Sequence, residues 1–191
     1  MTNHQKVLSL MAKFSDTDFF EREIARKIGI SYGSANRVLN DLYSEGLLVR
    51  TQKGRMLFYR INSSDALFLQ FKILNTIALL RPLVLELKKI STQIILYGSC
   101  AKGEDTAESD IDLYIVSEDK RTVEQKIAEP DLGKGFEDIQ IHVVIVSAVE
   151  ALDSEKTDPE FLSLVREGLV LWKKRPDESA FSRMSQEKEN Y

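Results

Sequence analysis

Residues 96–113 read Leu96-Tyr97-Gly98-Ser99-Cys100-Ala101-Lys102-Gly103-Glu104-Asp105-Thr106-Ala107-Glu108-Ser109-Asp110-Ile111-Asp112-Leu113, and this stretch decides the fold of the chain's rear half. A short apolar strand, Ile94-Ile95-Leu96-Tyr97, runs into Gly98-Ser99. Glycine there permits close backbone approach, and the following N–H groups and the serine hydroxyl can cradle a phosphate. After a polar loop, Asp110 and Asp112 alternate with Ile111, Leu113 and Ile115, so strand periodicity sends both carboxylates from one sheet face. Two carboxylates about 5 Å apart repel by roughly 3 kcal/mol at an effective dielectric of about 20. A fold that keeps them together calls for a cation, and hard oxygen ligands suit Mg2+ bridging to a triphosphate.

This run resembles the minimal nucleotidyltransferases of the DNA polymerase β superfamily, whose signature is Gly-Ser, a variable loop and Asp-hydrophobic-Asp. Gly98-Ser99 and Asp110-Ile111-Asp112 match it, Gly103 and Ser109 match the small members, and Lys102 stands where many members carry arginine. Glu167-Gly168-Leu169-Val170-Leu171-Trp172 is similar to the family's closing helix and strand, so the resemblance covers roughly residues 82–172. It implies that Asp110 and Asp112 are the catalytic, metal-binding acids, and that Gly98, Ser99, Lys102 and Ser109 hold the nucleotide. It also implies Mg2+ (or Mn2+) and a nucleoside triphosphate, ATP first, as cofactors, with an acceptor hydroxyl attacking the α-phosphate and pyrophosphate leaving.

One departure bears on activity. Active members usually add a third carboxylate on a later strand. On the strand expected over Ile139–Val146, the side chains opposite the core face are Asp138, Gln140, His142 and Val144. Gln140 and His142 are best placed and neither is an acid; His142 is a candidate ligand or base. Cys100 reads as a small residue packed behind the phosphate loop.

Around this segment, apolar alternation predicts strands over Asp110–Val116 and Ile139–Val146, and helices around Thr122–Ala128 and Pro159–Glu167, ahead of Leu169–Trp172. The first 64 residues read differently, as three helices and a hairpin. Val7, Leu8, Leu10, Met11 and Phe14 form the first helical stripe. Asp16 or Thr17 caps a second helix running through Phe19, Phe20, Ile24, Ala25 and Ile28, and Ser31 caps a third with Ala35, Val38, Leu39 and Leu42 inward. Leu47–Thr51 and Met56–Ile61 flank the turn at Gln52-Lys53-Gly54-Arg55.

The run from Ile24 through Gly29 and Ser31 to Leu47-Leu48-Val49 resembles winged helix-turn-helix regulators over residues 5–61. That resemblance implies double-stranded DNA as a partner. The helix from Ser31 would lie in the major groove, presenting Ser31, Tyr32, Ser34, Asn36, Arg37 and Asn40, while Arg50, Lys53 and Arg55 on the wing reach phosphates or the minor groove. The charge distribution agrees. Residues 1–64 hold ten Lys or Arg against six Asp or Glu, whereas residues 65–191 hold sixteen against twenty-four. Binding to twofold sites implies a homodimer.

The fold class is therefore α+β. A winged helix-turn-helix domain spans 1–64, a helical connector 65–90 with a second helix starting at Pro82, a small mixed-sheet nucleotidyltransferase-like domain 91–173, and a polar tail 174–191. One cysteine excludes an intramolecular disulfide, and two histidines leave little for a structural zinc site. No signal peptide or membrane span is expected, and the chain reads as cytoplasmic. Three functions stay open: a DNA-tethered, metal-dependent nucleotidyltransferase, a nucleotide-responsive transcriptional regulator with a degenerate transferase domain, and a DNA-binding antitoxin with a helical, toxin-like partner.

Overall fold

The computed structural model describes residues 2–106, 108–129 and 139–175, so Asp138 and the tail beyond 175 lie outside the described residues. Helix α1 (Asn3–Lys13) starts on a capping box in which the Thr2 hydroxyl and the Gln5 side chain satisfy each other's backbone N–H groups. Strand β1 (Phe19–Phe20) and helix α2 (Glu21–Ile28) follow, then α3 (Tyr32–Ser44), which the Ser31 side chain caps by accepting from the Ser34 N–H. Strands β2 (Leu48–Lys53) and β3 (Met56–Ile61) form an antiparallel hairpin, and β1 pairs with the other side of β3. Val7, Met11, Ile24, Leu39, Leu42 and Tyr59 fill the core between the helices and the sheet.

Two expectations need correction. Phe19 and Phe20 are strand, not helix: they pair with Tyr59 and Phe58, and Phe19 is buried in the core. The open edge of β3 supplies partners for an extended backbone, so the helix begins two residues later, where Glu21 and Glu23 complement its positive end. Pro82 likewise starts no separate helix. It lies inside α4, which runs unbroken from Ala66 to Leu87. An internal proline costs a helix about 3 kcal/mol. The burial of Leu80, Leu83 and Leu87 on both sides of it holds the helical course.

Helix α4 serves two cores. Phe68 in its first turn joins the front cluster, while Leu80, Leu83 and Leu87 pack with the rear sheet. That sheet contains β4 (Gln93–Tyr97), β5 (Ile111–Val116), β6 (Ile141–Val146) and β7 (Leu169–Lys173) in the order β6-β5-β4-β7. β5 and β6 are parallel; the other pairs are antiparallel. Helices α5 (Ser99–Lys102) and α6 (Lys120–Ile127) cover the same face as α4.

The opposite face, carrying Ile95, Tyr114 and Val116, packs against Leu162 and Val165 of α8 (Pro159–Arg166). Ahead of α8 stands α7 (Ala148–Thr157), which the sequence reading missed. Its signal was present in Ser147 and Glu150, which form a capping box.

Candidate active site

The bend after β4 is built around one glycine. Gly98 has φ 73° and ψ −156°, a region essentially reserved for glycine. The chain turns there into α5, with Ser99 as its first residue. Tyr97 pairs with Asp112 across the sheet, which brings the Asp112 carboxylate against the bend. A β-carbon on residue 98 would lie 2.5 Å from Asp112 Oδ2, so the absent side chain is the space that the carboxylate occupies.

Asp110 lies one residue before β5 rather than within it. Strand pairing sets His142 directly beside Asp112 on β6. The His142 Nδ1 stands 3.8 Å from Asp110 Oδ2 and 3.9 Å from Asp112 Oδ1, so both acids face one imidazole at ion-pair rather than hydrogen-bond distance. Burial raises the Asp112 carboxyl above its ordinary value, His142 opposes that shift, and Asp110 adds to it.

This is the electrostatics of a site short of positive charge; its two carboxylates are the oxygen ligands a hard divalent cation takes, whereas the imidazole beside them is not. Among the described residues no group of three or more His, Cys, Asp or Glu is arranged to hold a metal. Of the three later-strand candidates, Asp138 lies outside the described residues. The backbone carbonyl of Gln140 accepts from the Ile111 N–H, and His142 carries the side chain that meets the acids.

Lys102, at the end of α5, donates to Glu167 Oε2 at 3.0 Å and is held in its charged form by that contact. The pair links the bend to the end of α8. The Ser109 hydroxyl accepts from the Thr106 N–H at 2.9 Å and closes the loop before Asp110. Ser109 borders a cavity of about 430 Å³ at the junction of the two halves, whose walls include Ala12 of α1, Lys72 and Leu79 of α4, and Ile111.

The sequence reading overlooked Lys72. This lysine is 5% exposed; its ammonium lies 3.2 Å from Asp105 Oδ1 and also donates to the Asp105 backbone carbonyl. It clamps the loop leading to Asp110 onto α4. Its signal was a lysine set among apolar residues, between Phe71 and Ile73, in the first half of a long apolar helix. Close packing at Gly103 completes the clamp, since a β-carbon there would meet the Leu69 carbonyl oxygen at 2.5 Å. Cys100 is buried behind the bend with its Sγ 3.4 Å from the Asp110 carbonyl, and burial, with Asp105 and Asp112 nearby, pushes its thiol up to about 12.

On the front half, four of the residues expected to meet DNA, Tyr32, Asn36, Asn40 and Arg50, are linked in one hydrogen-bonded chain through Glu21. The Tyr32 hydroxyl and the Asn36 amide both donate to Glu21, the amide at 2.9 Å. Asn40 donates to the Asn36 carbonyl and side chain, and accepts from Arg50 at 3.3 Å. Arg50 also lies over the Tyr43 ring, 4.1 Å from its centroid. Ser31 and Ser34 bond each other at the start of α3, and Lys53 pairs with Asp18 at 2.7 Å. Arg37 and Arg55 are exposed. Glu21 and Tyr43, which order this surface, were not singled out in the sequence.

Residues 77–166 match the family model of the nucleotidyltransferase domain. The matched stretch begins inside α4 and contains Gly98, Ser99, Asp110, Asp112 and His142; Glu167 falls just beyond it. This part of the chain is similar to nucleotidyltransferases, its small mixed sheet fits their fold, and the match supports a transferase reading. No curated protein matches the chain.

Proposed function

We propose that the rear half transfers a nucleoside monophosphate from a nucleoside triphosphate, ATP first, to an acceptor hydroxyl, and that the front half is a winged helix that binds double-stranded DNA. The observation that supports the transfer is that Asp110 and Asp112 both face the His142 imidazole, with Asp112 filling the space a side chain would take at the Gly98 bend.

Asp110 and Asp112 would hold Mg2+ or Mn2+, which when bound would neutralise the triphosphate oxygens and polarise the α-phosphorus. Ser99 binds phosphate at the bend, and Lys102, exchanging Glu167 for the nucleotide, binds the leaving oxygens. His142 turns its Nδ1 toward the two acids. Its outer nitrogen, Nε2, takes the proton from the acceptor hydroxyl as the new O–P bond forms and the α–β bridging bond breaks, with pyrophosphate leaving.

The test is incubation with α-labelled ATP, Mg2+ or Mn2+ and candidate protein and small-molecule acceptors. Transfer is expected, and Asp110→Asn should abolish it. His142 standing where an acid would complete the metal set favours a second reading, a nucleotide-responsive regulator; saturable nucleotide binding without transfer to any acceptor would select it. A gel shift on the protein's own upstream DNA tests the front half, and absence of affinity at low salt would refute DNA binding.

A further inference from the structure

Helix α4 is wrapped by both halves of the protein on one side only. By length and composition it is apolar enough to cross a membrane, with a mean hydropathy of 1.4 over its 18-residue window, yet only 22% of that window is buried. Leu67 is 64% exposed, Leu74 62% and Leu85 41%; Ala78 and Arg81 are also exposed, and Phe71 is half-buried. These six positions, 67, 71, 74, 78, 81 and 85, advance by alternating steps of four and three. That is the spacing of a helix–helix seam. A groove of about 250 Å³ runs beside the stripe between Ile77, Arg81, Val84 and Leu169–Leu171. A contiguous apolar surface of this kind on a folded chain marks an interaction site.

We propose that this seam binds the same seam of a second copy, with the two α4 helices antiparallel about a twofold axis near residue 76. Every layer then matches. Leu67 meets Leu85 of the second copy, the large Leu74 meets the small Ala78, and Phe71 meets Arg81. The last pairing sets the direction. In a parallel pair Arg81 would face its own symmetry mate, two like charges in an apolar layer. In the antiparallel pair each guanidinium lies on an aromatic ring instead. The stripe carries no carboxylate, so a partner helix does not need to supply a cation. Its own sequence is self-complementary, as a twofold interface requires. At 22 residues the helix is about 33 Å long, and the seam runs through most of that length.

Sedimentation or light scattering on the full chain over a micromolar concentration series, without nucleotide or DNA, tests this directly. The wild type is expected at twice the chain mass and Leu74→Glu at the chain mass, with helix content unchanged and with the wild type alone melting higher as its concentration rises. Direction is read by disulfide trapping with Leu67→Cys and Leu85→Cys proteins under mild oxidation: a mixture should cross-link, and neither protein alone should. A monomeric wild type overturns the proposal, as does a Leu74→Glu dimer. Homotypic cross-linking of Leu67→Cys means a parallel pair and overturns the stated arrangement. Co-sedimentation of the wild type with phosphatidylcholine vesicles, lost in Leu74→Glu, would assign the seam to a lipid surface instead.

Discussion

Gly98 and Asp112 share one volume: the carboxylate oxygen of Asp112 lies 2.5 Å from where a β-carbon on residue 98 would sit. The glycine at the bend and the second acid of the pair are therefore one structural unit, though fourteen residues separate them. Gly98→Ala must both strain the backbone, at φ 73° and ψ −156°, and displace the carboxylate. The expected outcome is a loss of about 1–3 kcal/mol of stability from the backbone term, together with loss of nucleotide binding. Thermal melting and nucleotide titration check it; a Gly98→Ala protein that binds nucleotide normally would contradict the geometry.

His142→Asp adds a third carboxylate beside the pair. In metal-free buffer the added charge should lower the melting temperature, since three acids then face one another. With Mn2+ present the order should reverse, the affinity rising about tenfold, equivalent to about 1.4 kcal/mol. Calorimetric titration with Mn2+ of both proteins decides it. Equal affinities would mean that position 142 does not border the metal.

Lys72 and Asp105 form a pair in which the lysine is 5% exposed and the aspartate side chain 21%. No hydrogen bond of good geometry among the described residues reaches Asp105 Oδ1, so the contact with that oxygen is ionic. Removing one partner leaves a largely buried charge, and Lys72→Met should cost about 3 kcal/mol. Lys72→Met with Asp105→Asn should recover most of that loss. Denaturant melts of the single and double variants measure the coupling, and additive effects would show that the two side chains act separately.

The Cys100 thiol should resist alkylation by iodoacetamide at pH 8 in the native protein and react once unfolded. Its folded pKa of about 12 lies above the unfolded value of 9.0, so the fold favours the neutral thiol. That preference leaves stability unaffected below pH 9 and withdraws it progressively as pH rises toward 12. Cys100→Ser should therefore flatten the alkaline limb of the stability curve.

On the front half, Arg50 is braced by Asn40 and Tyr43, whereas Arg37 stands exposed on α3. Arg37→Ala is expected to weaken binding to a preferred DNA sequence by about 1–3 kcal/mol and relax its specificity. Arg50→Ala should weaken binding to all sequences alike and reduce the salt dependence by about one counterion. Gel shifts over a salt series with specific and random duplexes separate the two outcomes.

Sequence alone determined the features that depend on near neighbours. Gly98-Ser99 at a strand end, the alternation Asp110-Ile111-Asp112, the Ser31 cap and the hairpin turn at Gly54 are each set by a few adjacent residues, through backbone freedom and side-chain periodicity. Tertiary structure decided what needed a distant partner. Phe19 and Phe20 carry helix-compatible flanks, and only β3, some forty residues on, makes them strand. Pro82 has the local signal of a helix start, yet burial of leucines on both sides of it carries α4 through. His142 meets the two acids only because β6 pairs in parallel with β5 in one register, and a shift by one residue would turn it to the other face. Lys72 became a buried clamp once the loop at Asp105 folded over it. Local patterns fix which way a side chain points along its own element; the long-range packing of one element on another fixes what it meets there.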